Sequence, residues 1–251
     1  MFSTFNTFNL NFEVPSLFEE LEKSSVFEPV AKGRKTANVY MEEKDGLIPI
    51  VRTTTCYKNP LQKMKPRHVE IVHKINEQYP NQVYRSNNAM IEVYTQPYTK
   101  MGWHSDQALD LYPYSYIGVF VCCNNPNSTN PPLLLVKPKD GNDGSVQEIP
   151  MNHHSAIVFS TEFNSTHLHR ITLQCSPREE WMFITFRYSL RLIYFKNEIP
   201  YFDRDDTPLV LANETQKKEF YREKKMENTN SRWEYIPISY TVSPSDLIHP
   251  K

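Results

Sequence analysis

Between Ala89 and Leu192 the chain passes through seven short segments rich in valine, isoleucine, tyrosine and phenylalanine, with no helix-length window between them. They are Met90–Tyr94, Tyr116–Cys123, Leu133–Lys137, Val146–Met151, Ser155–Ser160, His169–Cys175 and Trp181–Leu192. Short apolar runs punctuated by turn material are the pattern of a β-sandwich or barrel. Parallel strands need long, usually helical crossovers, so this stretch argues against a doubly wound α/β fold. The connections NNPNSTNPP and PKDGNDG are strong loop signals.

The flanks read differently. Pro15-Ser16 followed by LFEELEKS predicts a short helix with serine at its cap and Leu17 and Leu21 on one face. Arg67–Tyr79 predicts a second helix, with Val69, Ile71, Val72 and Ile75 on one flank. His68 and His73 on that helix read as packing or surface residues. Glu214–Met226 reads as a charged helix with a solvated face. The tail WEYIPISYTVSPSDLIHP alternates apolar and polar residues as an edge strand does. The expected fold is therefore mostly β: a jelly-roll, or double-stranded β-helix, barrel with flanking N- and C-terminal helices. No low-complexity linker interrupts the chain, so a single domain over 1–251 is expected. Its parts are a helical N-terminal part to about residue 85, a barrel core to about 195 and a C-terminal extension.

Composition narrows the function classes. A formal net charge of −1 supplies no global basic field for nonspecific nucleic-acid binding. Local basic groups such as Lys63-Met-Lys-Pro-Arg67 form no clear stripe. Cys56, Cys122, Cys123 and Cys175 lack zinc-site or disulfide-framework spacing, as expected of reduced cysteines in a cytoplasmic protein. The N-terminus has neither basic residues nor the apolar stretch of a secretory signal. No window reaches the length of a membrane span. Asn-x-Ser/Thr matches at Asn127, Asn164 and Asn213 read as chance.

One segment carries chemistry. The strand Met90–Tyr94 enters a polar connection that ends in Trp103-His104-Ser105-Asp106. In extended chain, positions i and i+2 point the same way, so His104 and Asp106 can converge on one metal ion. A histidine from a remote strand would complete two imidazoles and one carboxylate, the facial set that holds ferrous iron and leaves positions open. His167 and His169, two residues apart, would share a strand face, and spacing does not choose between them.

Tyr94, His104-Ser-Asp106, His169-Arg-Ile and Ile184-Thr-Phe-Arg187, in that order, resemble the 2-oxoglutarate/Fe(II)-dependent dioxygenase superfamily, in its AlkB-like branch. The resemblance spans the barrel core and leaves both ends uncovered. It implies His104, Asp106 and His169 as iron ligands and catalytic centre, the third chosen because a β-branched residue stands two positions after it. It implies 2-oxoglutarate and O2 as cosubstrates, with ascorbate as a reductant. Arg187 would pair with the distal carboxylate of 2-oxoglutarate through its bidentate guanidinium. Ser189 would add a hydroxyl hydrogen bond and Tyr94 another. The chain departs from the AlkB pattern at three positions: Trp181 and Phe183 replace an arginine and an asparagine of the last strand, and Glu92 replaces the asparagine before the tyrosine. The nearest downstream arginine is Arg191.

For the substrate, an alkylated nucleobase ranks ahead of a protein side chain or a small molecule, with Tyr98, Trp103, Tyr112, Tyr114 and Tyr116 available for stacking. A noncatalytic metal-binding barrel is the alternative outside enzymes. A cupin-type metalloenzyme without 2-oxoglutarate is another, and it would not need Arg187.

Overall fold

The computed structural model describes residues 5–14, 16–78, 84–98, 101–140, 145–173 and 175–251. Pro15, Tyr79, Gln174 and the tip of the PKDGNDG loop, all parts of predicted features, lie outside the described residues. The N-terminal part contains β1 (Asn6–Asn9), α1 (Leu17–Lys23), β2 (Glu28–Ala31), β3 (Arg34–Tyr40), β4 (Ile48–Pro49), β5 (Gln62–Lys63) and α2 (Pro66–Glu77). The middle contains β6 (Asn88–Tyr94), β7 (Tyr116–Cys123), β8 (Leu133–Pro138), β9 (Gln147–Pro150), β10 (Ser155–Ser160), α3 (Thr161–Thr166), β11 (His167–Thr172) and β12 (Trp181–Arg187). The remainder contains β13 (Leu192–Lys196), β14 (Ile199–Phe202), β15 (Val210–Leu211), α4 (Glu214–Thr229) and β16 (Tyr240–Thr241).

The larger sheet runs β1-β10-β7-β12-β6-β3-β2, and β5 pairs with β3. The smaller runs β11-β8-β9, and a bridge between His104 and His169 adds the His104 segment beside β11. From β6 to β12 the chain crosses between these layers at each step except the β8–β9 hairpin. The orders β10-β7-β12-β6 and β9-β8-β11-His104 are those of a jelly roll. The layers form an open sandwich, and no ring of strands closes among the described residues.

Burial explains why the middle strands read as continuous apolar runs. Every residue of β12 is buried, as expected for a strand covered on both faces. Met182, Ile184 and Phe186 pack with Phe120 and Cys122 against Leu17 and Leu21 of α1 and Ile71 and Ile75 of α2. Trp181 and Phe183 point between the sheets, with Val119, Val121, Cys123, Val136, Ile149 and Ile171. Cys122 and Cys123 thus face opposite layers. His68 is buried, and its Nδ1 accepts the Lys65 N–H at 3.0 Å, capping α2; His73 is exposed.

Several expectations are corrected. The N-terminal part is not chiefly helical: β1, β2 and β3 widen the larger sheet. Their polar residues, Arg34, Lys35 and Asn38 among them, hid the strand pattern. The predicted strand Trp181–Leu192 breaks after Arg187, and β13 joins β14 and β4 instead. The helix of the charged segment reaches Thr229 and buries Phe220, Glu223 and Glu227, so it is not merely a solvated face. The tail contributes the short strand β16, paired in parallel with β15, and a 3-10 turn over Pro244–Leu247. No described helix is long and apolar enough to cross a membrane.

Candidate metal centre and its cavity

His104 and His169 exchange both backbone hydrogen bonds, His104 N to His169 O at 3.0 Å and His169 N to His104 O at 2.7 Å. Residues opposed in this way across antiparallel chains project side chains to the same face, and the two imidazole centroids lie 4.6 Å apart. Asp106, two residues after His104, turns to the same point, with Oδ1 3.6 Å from His169 Nε2. One ligand atom from each of the three lies within 4.8 Å of the others, so small side-chain rotations bring all three onto one ion. His167 goes elsewhere: its ring stacks on Phe163 at 3.8 Å, and its Nδ1 lies 2.9 Å from the Thr166 hydroxyl.

Protonation suits a cation. His104 Nδ1 lies 2.9 Å from the Gly102 carbonyl, and a proton donated there leaves Nε2 as the free lone pair. Burial, reinforced by His169, lowers the His104 pKa to about 3, so the imidazole stays neutral. Burial alone would raise the Asp106 carboxyl. Arg187, the His169 hydrogen bond and both imidazoles together outweigh it and hold the carboxyl well below its ordinary range. The donor set is therefore two imidazoles, that of His104 held neutral, and a carboxylate.

Four neighbours fix that carboxylate and its segment. Arg187 donates from Nε and Nη2 to Asp106 Oδ2 at 3.1 and 2.9 Å, leaving Oδ1 toward the histidines. Asn164, read from sequence only as a chance glycosylation match, accepts the Asp106 N–H at 2.7 Å and donates to its carbonyl at 2.8 Å. From α4, Asn228 Oδ1 accepts the Ser105 N–H at 3.0 Å, and Lys224 donates to the Ser105 carbonyl. The local sequence holds no signal for Asn164, Asn228 or Lys224, because only the tertiary fold brings α3 and α4 to this turn.

The three metal-ligand candidates and Arg187 line one cavity of about 400 Å³, together with Arg34, Tyr57, Glu92, Tyr98, Trp103, Phe183 and Thr185. Arg187 therefore sits at the expected cavity, but against Asp106. Ser189 is corrected: its hydroxyl donates toward the Ile50 carbonyl at 2.6 Å, lies 3.1 Å from the carbonyls of Asp110 and Arg191, and does not line the cavity. Tyr94 is fully buried behind the wall, its ring against Tyr98 and Phe183. Of the aromatics offered for stacking, Tyr98 and Trp103 line the cavity, whereas Tyr112 and Tyr114 are exposed on the surface. Lys137 and Arg170 both lie over the Trp103 ring, at 4.7 and 4.6 Å from its centroid. The sequence reading gave Glu92 only as a departure and missed Arg34; the two form an ion pair on the cavity wall, with Glu92 buried and Arg34 half-buried.

No family model and no curated protein matches the sequence. Among solved structures, the chain is similar to OsALKBH1 at 13% identity over 66% of this chain and 85% of that one, with a TM-score of 0.41. It is also similar to a prolyl hydroxylase in complex with a hypoxia inducible factor oxygen degradation domain peptide fragment from Trichoplax adhaerens. That match has 12% identity over 74% of this chain and 83% of that one, with a TM-score of 0.45. Within the chain itself, His104, Asp106 and His169 form two imidazoles and a carboxylate directed at one point of a cavity between the sheets.

Proposed function

We propose that this chain is an iron(II)- and 2-oxoglutarate-dependent oxygenase, with His104, Asp106 and His169 as the metal ligands. The observation that carries the reading is their convergence beside a cavity, with Arg187 engaging the second carboxylate oxygen. Two imidazoles and one carboxylate suit ferrous iron and leave open positions for small ligands. Iron with 2-oxoglutarate supplies the oxidant for a C–H bond: one oxygen atom of O2 enters succinate as CO2 leaves, and the other enters the substrate. The protein's own tasks are to hold the ligands, orient them and exclude water.

Arg187 keeps Asp106 ionised and aimed through Oδ1, and the Gly102 carbonyl selects the His104 tautomer. Val119, Phe159, Ile171 and Phe183 supply apolar wall. The substrate we favour is a nucleobase carried on an anionic strand, because Trp103 at the cavity presents an aromatic ring with Lys137 and Arg170 over it. The test is succinate formation by the purified chain with iron(II), ascorbate, O2 and 2-oxoglutarate, alone and with alkylated oligonucleotides. Stimulation by an alkylated oligonucleotide is expected. Stimulation only by peptides or small molecules would replace the substrate, and absence of both iron and 2-oxoglutarate binding would remove the enzyme reading.

A further inference from the structure

A five-carbon keto diacid chelating at the metal still needs a buried cation for its distal carboxylate. Arg187, the cation expected from sequence, directs Nε and Nη2 to Asp106. Lys224 is engaged by the Ser105 carbonyl and by Glu227, at 2.7 Å from the latter. The remaining guanidinium on the cavity is Arg34 of β3. It stands opposite Tyr94 of β6, and its neighbour along that face, Thr36, stands opposite Glu92. Arg34 pairs with Glu92 through Nη2, and its Nε is buried with no hydrogen-bond partner; the buried Tyr94 hydroxyl faces Glu92 in the same cluster. Its guanidinium lies 5.9 Å from the Tyr94 ring centroid. An unsatisfied buried donor is costly to keep, and the Arg34 Nε at the cavity wall, with the Tyr94 hydroxyl beside it, suits a carboxylate.

We propose that Arg34, aided by the Tyr94 hydroxyl, receives the distal carboxylate of 2-oxoglutarate. In this scheme Glu92 is the competing acid that the ligand must share or displace. The proposal rests on the oxygenase reading and deepens it. The register of β12 on β6 agrees: Arg187 faces Asn88 and Phe183 faces Glu92, so about 13 Å of strand separates the metal end from the Glu92 level. The ligand chain and the extended arginine side chain span that interval from opposite ends. Phe183 and Trp181 fill the last-strand positions beside it with apolar surface, so among the described residues the cation at this level is Arg34 of β3.

The experiment measures binding of 2-oxoglutarate and of 2-oxobutyrate, which has the same chelating end but no distal carboxylate, to the Mn(II)-loaded full chain by calorimetry. In the wild type the diacid is expected to bind about 10- to 100-fold more tightly, the worth of one buried charge-assisted contact. Arg34→Met should collapse that ratio to near unity with Mn(II) affinity unchanged. Glu92→Gln, which keeps Arg34 and removes the competing charge, should tighten 2-oxoglutarate and leave 2-oxobutyrate unaffected; it serves also if Arg34→Met does not fold. A ratio retained in Arg34→Met, or weaker 2-oxoglutarate binding in Glu92→Gln, overturns the assignment while leaving the oxygenase reading intact. If the wild type holds Mn(II) but binds neither keto acid, both fall together.

Discussion

Replacing Arg187 by methionine removes the cation from a carboxylate that stays inside the protein. The two side chains are only 5% and 10% exposed, and the guanidinium gives Asp106 Oδ2 two hydrogen bonds at 2.9 and 3.1 Å. Breaking a buried pair on one side typically costs about 3–5 kcal/mol, because a buried charge is left uncompensated. Since Asp106 keeps some access to the cavity, the lower end, about 3 kcal/mol, is expected at pH 7 in the metal-free chain, or about 6–12 °C in Tm. The sign with pH follows from the Asp106 shift. In the wild type the folded carboxyl is held below its ordinary value, so its contribution is present above about pH 4 and is lost as pH falls through the folded value. In Arg187→Met the largest of the interactions that hold the folded carboxyl down is gone, so it titrates at a higher pH than in the wild type. Protonation then relieves the penalty, and the gap between variant and wild type should narrow from pH 7 to pH 5. Urea denaturation of both chains at the two pH values measures it. A gap under about 1 kcal/mol at pH 7, or one that does not narrow at pH 5, refutes the reasoning.

Asn164→Ala removes both hydrogen bonds to the Asp106 backbone and should weaken Mn(II) binding about 10–100-fold, measured by EPR titration, with the secondary structure unchanged by circular dichroism. Gly118→Ala places a Cβ 2.5 Å from the Tyr84 hydroxyl oxygen and 2.9 Å from Cζ; it should displace the Tyr84 hydrogen bond to the Phe186 carbonyl and cost about 1–3 kcal/mol in a urea melt. His167→Ala removes a ring that stacks on Phe163 and should leave Mn(II) affinity within about threefold of wild type, whereas His169→Ala should abolish the site.

What the sequence disclosed depended on how local the cause was. β7 and β10 were legible to the residue because both faces of each are buried, which leaves an unbroken apolar run bounded by turns. His104 and Asp106 were legible because strand geometry alone sets two side chains on one side. β3 was not, because one face of that strand looks into the polar cavity and its Arg34 reads like a surface residue. The role of α4 was hidden for a related reason. Lys224, Glu227 and Asn228 look like a solvated stripe, yet they hold the Ser105–Ala108 segment by hydrogen bonds across more than a hundred residues of chain. Ser189 fails the simple i, i+2 rule because β12 ends at Arg187 and the chain turns there to bridge Leu111. Cys122 and Cys123, by contrast, obey that alternation and divide between the two apolar cores.

The central claim is that His104, Asp106 and His169 hold an iron(II) ion to which 2-oxoglutarate chelates. Anaerobic titration of the iron(II)-loaded chain with 2-oxoglutarate tests it without knowledge of the substrate, because chelation by a 2-keto acid produces a visible metal-to-ligand charge-transfer band. The band should appear with one iron per chain in the wild type, and should be absent in Asp106→Ala. Iron binding with no band, or an equal band in Asp106→Ala, would contradict the claim.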